Sequence, residues 1–383
     1  MKIYIAGDVL GSYRAQNILK TLADNHIPFI VIPFSYYNPN ISVRWIRIVI
    51  RYFLKFLIFP VRLFFVTLAT HVVVLPMNSS LNVLLEILFA RMLNKIVVVD
   101  YYISVYDANV NDRKIQTPKT IKAYISLLKD RLLLSLSTDV VFLNAAESEY
   151  YQKVAGLSLS ADKCNVIPLC IDFKKELFSK KKTQKITNGG RLKVCWWGTY
   201  IPLHGLENII KAFENLKNED IELYLFGDSE EKSIPYKRLV EQLGLTGKVL
   251  VKNDCSFVNG KLAPFLIENC DLALGNFGSS DKAKTVLVNK LVDALSLGIP
   301  CLTIETGATR ELLRDGYGIM LCDYQPENIA EKLLEILNNR QILEDVGQKG
   351  SEVYLNKFSP DIFSLRFMQV ILKRNKNNAY AIM

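Results

Sequence analysis

Residues 195–213 read CWWGTYIPLHGLENIIKAF. An apolar run of strand character ends at Gly198, a short loop follows, and a helical pattern opens near Gly205. In open α/β sheets, ligands bind at such turns, at the carboxyl ends of the strands. The helix tip offers free N–H groups and a partial positive charge to a phosphate. Gly198 lets the backbone come close, Thr199 adds a hydroxyl, and His204 adds a donor for a phosphate oxygen or a sugar. Local spacing reads equally as two turn glycines and a loop histidine.

Working outward, apolar β-branched runs alternate with helical patterns along the whole chain. Strands are expected at 2–7, 29–34, 71–76, 95–101, 139–144 and 164–169, and again at 193–198, 221–228, 248–253, 270–277, 300–305 and 318–322. Continuous apolar runs of this length suit parallel strands buried on both faces. Helices are expected between them, at 12–25, 81–94 with Ser80 as cap, 205–218, and 359–373 with Ser359 as cap and Pro360 at the first position. The charged stretch 174–191 reads as a linker. Two successive β/α series imply two Rossmann-like α/β domains facing each other across a cleft. Their expected extents are 1–185 and 186–357, with 358–383 a helix returning to the first domain.

The 383 residues suffice for two domains with sizeable cores, and half are hydrophobic. The seven cysteines are scattered without a CxxC pair, and the three histidines lie far apart. Neither a disulfide framework nor a metal centre is suggested, so no cofactor or metal is expected. The opening MKIYIAGD reads as a strand and loop without the pattern of a secretory signal, which points to the cytoplasm. The net charge of +9 is unevenly placed: residues 1–185 carry 24 Lys/Arg against 13 Asp/Glu, whereas 186–383 carry 23 against 25. A basic N-terminal half attracts polyanions or anionic lipid, and no zinc-finger or RNA-binding signature favours nucleic acid.

A second phosphate-type stretch is GNFGSSDKAKTVLVNKLVDALSLGIPCLTIETGATRELL (275–313). After a strand ending at Gly275 come a polar loop with Lys282 and Lys284, then a helix closed by Gly298 and Pro300. Asn289, Lys290 and Asp293 fall in its first turns, Asn289 and Asp293 on one face. Lysines beside free N–H groups suit a diphosphate, and a carboxylate one turn on suits ribose hydroxyls. The plainer alternative is solvated lysines and a surface carboxylate.

In order and spacing, these pieces resemble the retaining glycosyltransferases of family 4, which have the GT-B fold. The resemblance covers residues 194–340 closely. It covers the N-terminal half more loosely, through the opening glycine loop, the stretch 96–114 and VIPLCID (166–172), where Cys170 stands at a usual glycine. It implies a nucleotide-sugar donor held mostly by the C-terminal domain, with no metal. The family's diphosphate-binding Arg and Lys fall on Thr199 and His204, which makes Lys284 and Lys290 the substitutes. Its two glutamates fall on Thr285, near the sugar, and on Asp293, at the ribose. Backbone N–H groups from Val286 through Val288 to Asn289 complete the expected donor site.

On the acceptor side, DYYISVYDANVNDRK (100–114) follows a strand, and the resemblance turns this loop toward the reacting sugar. Asp100 and Lys290 are thus the candidate catalytic residues, and Arg113 is a candidate phosphate ligand. Asp100 could also be a strand-end cap. The resemblance places Gly11 and Ser12 beside the donor phosphate and the acceptor, and Ser12 alone reads as an N-cap.

The stretch RWIRIVIRYFLKFLIFPVRLFF (44–65) has five basic residues and no acid. At 100° per residue, Arg44, Arg47, Arg51, Lys55 and Arg62 share about 80° of arc on an otherwise apolar helix. A span would bury several charges at roughly 2.5–3.5 kcal/mol each near the bilayer centre. An in-plane amphipathic helix around 43–59 on an anionic membrane surface is expected instead, broken or kinked at Pro60. The alternative is a helix packed on the protein with its basic heads in water.

Together these expectations describe a glycosyltransferase that moves a hexose from a nucleotide sugar to a lipid-linked glycan at the inner face of the cytoplasmic membrane. The pathway implied is cell-surface polysaccharide, lipopolysaccharide or glycolipid synthesis. A nucleotide-sugar epimerase and a non-catalytic membrane scaffold are the competing readings.

Overall fold

The computed structural model of the chain describes residues 1–7, 12–32, 44–75, 81–172 and 190–380. Each of the twelve apolar runs holds a strand. Residues 174–189 of the expected linker, Gly11 and Ser80 lie outside the described residues, as do the side chains of Arg44, Arg47, Arg51 and Lys55.

The chain divides into two units. The first gathers Met1–Leu143, Ser148–Pro168 and Phe363–Met383. Its strands are β1 (Ile3–Ala6), β2 (Phe29–Val31), β3 (His71–Val74), β4 (Ile96–Asp100), β5 (Asp139–Phe142) and β6 (Cys164–Val166). They form one parallel sheet in the order β2-β1-β3-β4-β5-β6. The direction of travel reverses after β2. Right-handed crossovers therefore put α1 (Tyr13–Asp24) on one face and α2 (Arg44–Leu68), α3 (Leu81–Met92) and α4 (Ile121–Leu136) on the other. Val72, Val74, Val97, Val99, Val140 and Phe142 are buried in the core under this second layer.

Helix α2 corrects two expectations. It runs through Pro60 to Leu68 instead of breaking there. Its second half is tied down by tertiary contacts: Val66 is buried, and Arg62 is 2% exposed. The Arg62 guanidinium donates to Glu86 at 3.2 Å and to the Ile32 carbonyl at 2.7 Å, and the Tyr4 hydroxyl donates to the other Glu86 oxygen. Arg62 is thus a buried ion-pair partner, not a member of the outward basic stripe. A buried guanidinium needs its carboxylate, and Glu86 supplies it.

The second unit gathers Asn144–Glu147 and Leu169–Ile362. Its strands are β7 (Leu192–Trp197), β8 (Ile221–Phe226), β9 (Val249–Val251), β10 (Leu272–Leu274), β11 (Cys301–Ile304) and β12 (Ile319–Cys322). They form a parallel sheet in the order β12-β11-β10-β7-β8-β9. The order switches sense between β10 and β7, and such a switch point opens a crevice at the carboxyl ends of the strands. The two sheets with their helices are the expected α/β class. The helix at Pro360–Tyr380 runs past the expected 359–373 and stays within 358–383, and the Ser359 hydroxyl donates back to the Leu355 carbonyl.

Candidate functional site

At the switch point, Trp197 ends β7 and Gly198 follows with φ of +143°. A Cβ there would lie 3.3–3.4 Å from Lys290 Cε and Nζ and from His204 Cε1. The bare glycine thus keeps open the space that those two side chains border. Gly205 has φ of +60°, and a Cβ on it would meet the Phe277 carbonyl oxygen at 2.1 Å, so only glycine fits. This close approach joins the loop after β7 to the loop after β10.

The loop after β10 is itself fixed by Asn276. Its side chain donates to the Ala283 carbonyl at 2.8 Å and accepts from Gly278 N–H at 3.1 Å. The Thr306 hydroxyl donates to the Val286 carbonyl, and Gly307 N–H to the Lys284 carbonyl. Three strand-end loops thereby position the helix Asn289–Leu297, whose N-cap is Val288 and whose tip no side chain caps. Gly298 ends it in the left-handed conformation.

Lys290 is the least conventional residue of this group. It is 3% exposed, and its Nζ has no hydrogen-bond partner. The ammonium position lies 4.4 Å from the centroid of the Trp196 ring. Burial pushes its pKa well below the ordinary lysine value, with Cys301 and Asp293 opposing. Asp293 is pushed up to about 7 by burial, with the Trp197 indole and Lys290 pulling the other way. The Trp197 N–H donates to Asp293 Oδ2 at 2.8 Å.

His204 stands edge-on to Trp196. Burial and the neighbouring Lys290 hold its pKa well below the usual imidazole range. Its Nδ1 lies 2.9 Å from the Thr199 carbonyl, which can only accept, so Nδ1 carries the proton. Nε2 of this neutral ring is then an acceptor. That corrects the expectation of a phosphate donor and suits a hydroxyl instead.

Thr199, Lys284 and Asn289 are exposed around this group, and Val288 is buried. The Thr285 hydroxyl donates to the Lys282 carbonyl at 2.9 Å, which turns it into a loop brace. Among the described residues, no group of His, Cys, Asp or Glu side chains could hold a metal ion.

In the first unit, Asp100 is 1% exposed, and both its oxygens accept from Arg14 Nε at 2.7 Å. Arg14 also donates to the Pro168 carbonyl. Burial raises the Asp100 pKa and Arg14 lowers it. The pair serves as an internal brace, which corrects the reading of Asp100 as a catalytic group open to substrate. The loop after it is braced as well. Asp107 accepts from Tyr150 and Asn111, and Asp130 accepts from Ser104 and from the backbone of Val105 and Tyr106. Arg113 is exposed just after the π-helical turn Asp107–Asp112. Ser12 caps α1 by accepting from Ala15 N–H.

Sequence reasoning missed Arg14, Asn276 and the tryptophan pair. Trp196 and Trp197, adjacent at a strand end, point to opposite faces. Each then meets one of the two charged residues of the facing helix.

Residues 178–353 match the family model for glycosyl transferases group 1. An uncharacterized glycosyltransferase of Methanocaldococcus jannaschii is 23% identical over 61% of this chain and 67% of its own length. The N-acetyl-alpha-D-glucosaminyl L-malate synthase of Bacillus anthracis is 22% identical over 56% of this chain, which spans about half, 54%, of that relative. Among solved structures, the Anabaena protein HepE in complex with UDP-glucose superposes with a TM-score of 0.64 at 14% identity, covering 97% of this chain and 100% of that one. At that identity the likeness is one of fold, and the two-sheet α/β architecture of this chain is the GT-B class.

Proposed function

We propose that this protein transfers a hexosyl unit from a nucleotide-sugar donor, with retention of configuration, to a lipid-linked glycan of cell-surface polysaccharide or glycolipid synthesis. It works at the inner face of the cytoplasmic membrane and without a metal. The observation that carries the donor half is Lys290: a buried, unpartnered ammonium beside a bare glycine and an uncapped helix tip. A cation in low dielectric without an anion is costly, and a diphosphate would supply one. The donor complexes of HepE and the glycosyl-transfer name of the Bacillus relative support the same class of ligand.

In this reading the diphosphate lies over Gly198, against Lys290 and the N–H groups of Asn289–Leu297. These groups stabilise the charge that develops on the leaving phosphate. The second oxygen of Asp293 takes the ribose hydroxyls, and exposed Lys284 and Thr199 lie at the rim. His204 Nε2 accepts from a sugar hydroxyl. The acceptor half rests on the basic amphipathic α2, with Ser12 and exposed Arg113 on the acceptor-side loops. No helix among the described residues is long and apolar enough to cross a membrane.

The test is calorimetric titration with UDP, GDP and dTDP, followed by turnover of the matching sugar nucleotide with membrane extract. Binding of one nucleotide and sugar transfer into the lipid fraction are expected. Absence of any nucleotide binding would sink the proposal, and an epimer formed without acceptor would replace it.

A further inference from the structure

The outward surface of the first unit is not that of an ordinary surface layer. On α2, Trp45, Phe53, Phe56 and Phe64 are exposed, Phe56 at 81%. α3 packs beside α2 and α4 beside α3. On α3, Leu85, Leu88 and Met92 are exposed, and on α4, Ile121, Tyr124, Ile125 and Leu128, with Ile121 at 79%. Spacings of three and four place the α3 and α4 sets each on one stripe, and at 100° per residue the four aromatic residues of α2 fall within about 100° of arc. A helix facing water normally turns its polar side outward, and these three turn an apolar one. Together the stripes amount to on the order of 1,000 Å², above the ~300–600 Å² of the largest patch on a typical monomer.

The charges on these helices are sorted by sign. Their acids are Glu86 on α3 and Asp130 on α4 alone, and both are buried and hydrogen-bonded inward. Every other charged residue of the three helices is Arg or Lys. Lys122 and Lys129, seven residues apart, run along one edge of the α4 stripe.

We propose that α2, α3 and α4 form a single platform that seats the protein on an anionic lipid surface. This extends the membrane contact from one amphipathic helix to three and does not rest on the donor site. The apolar stripes enter the headgroup boundary while the basic edges meet lipid phosphates. Charge selects this occupant over a second copy, because two such faces would set basic edge against basic edge. The Arg62–Glu86–Tyr4 network fixes α2 to α3 and the sheet, so the platform docks as a rigid face.

The experiment is flotation of the full chain with phosphatidylcholine vesicles, with and without phosphatidylglycerol. Wild type is expected to float with the anionic vesicles only. Two variants on α4 read the extension: I121S/I125S/L128S, and the charge reversal K122E/K129E. Each substitutes exposed or half-buried side chains, so thermal melts should match wild type, while flotation falls roughly tenfold or more. Variants that fold and float like wild type would overturn the platform, as would a wild type that ignores anionic vesicles. A stable dimer dissociated by the α4 substitutions, with no lipid binding, would assign the face to a second copy and equally overturn it. Loss of nucleotide binding would touch only the donor reading.

Discussion

Replacing Lys290 by Met keeps the side chain's length and removes its charge. An oxygen lodged against Gly198 would stand about where a Cβ comes within 3.4 Å of Nζ. At ~4 Å and an effective dielectric of ~20, a unit charge pair is worth roughly 4 kcal/mol. Part of this falls to the helix N–H groups, so K290M should lose about 2–3 kcal/mol of nucleotide affinity, or roughly 30- to 150-fold. The same substitution should stabilise the fold. The pKa of Lys290 in the folded protein lies below the ordinary 10.5 because burial disfavours the ammonium. Between those two values the unfolded chain holds the extra proton, so wild-type stability climbs with pH across that window. Met carries no proton. The advantage of K290M is therefore greatest below the window and vanishes as pH rises past about 10.5. Calorimetric titration with the cognate nucleoside diphosphate gives the affinity, and denaturant melts across alkaline pH give the stability. A variant that binds within threefold of wild type, or that melts lower at neutral pH, would show that Lys290 packs as structure and does not wait for an anion.

Asp293 has its pKa raised to about 7 from 3.8, so its contribution to stability is full below 3.8 and lost as pH rises through about 7. Asn at this position keeps an acceptor for Trp197 without titrating. D293N should therefore exceed wild type at pH 8 by on the order of 2–4 kcal/mol, converge with it near pH 4, and bind nucleotide more weakly. D100N should leave Arg14 buried without its carboxylate and cost about 3–5 kcal/mol in a urea melt. Lost transfer with an unchanged melt would return Asp100 to the chemistry. G205A combines a left-handed φ with a clash against the Phe277 carbonyl and should cost at least ~2 kcal/mol, read as a lowered Tm together with weaker nucleotide binding.

The strands were legible because parallel strands buried on both faces leave uninterrupted apolar runs, as in HVVVLP and KIVVVDY. Helix ends were legible where a glycine takes the left-handed turn, as Gly298 does. What escaped was tertiary. The basic stripe of α2 reads as one continuous edge, yet Arg62 is turned inward by a glutamate 24 residues away. Asp100 looked like an open strand-end carboxylate until Arg14, 86 residues earlier, closed on it. No local pattern announces a partner at that separation. The turns that carry Gly198, Lys290 and Asp293 were legible as strand–loop–helix units because each is local, and the fold only had to set two of them side by side.

The last long helix ties back to the beginning. Arg374 donates to buried Asp139 at 3.1 Å from 235 residues further along, and Lys373 reaches the same carboxylate. At 5–20 residues per second, a ribosome needs some tens of seconds to travel from one to the other. For most of that time the nascent half-molecule carries at the foot of β5 a carboxylate that lacks both of these cationic partners and is met by the Asn165 amide. The domain begun first is completed last, and shortening the tail by one helix should unsettle the very start of the polypeptide.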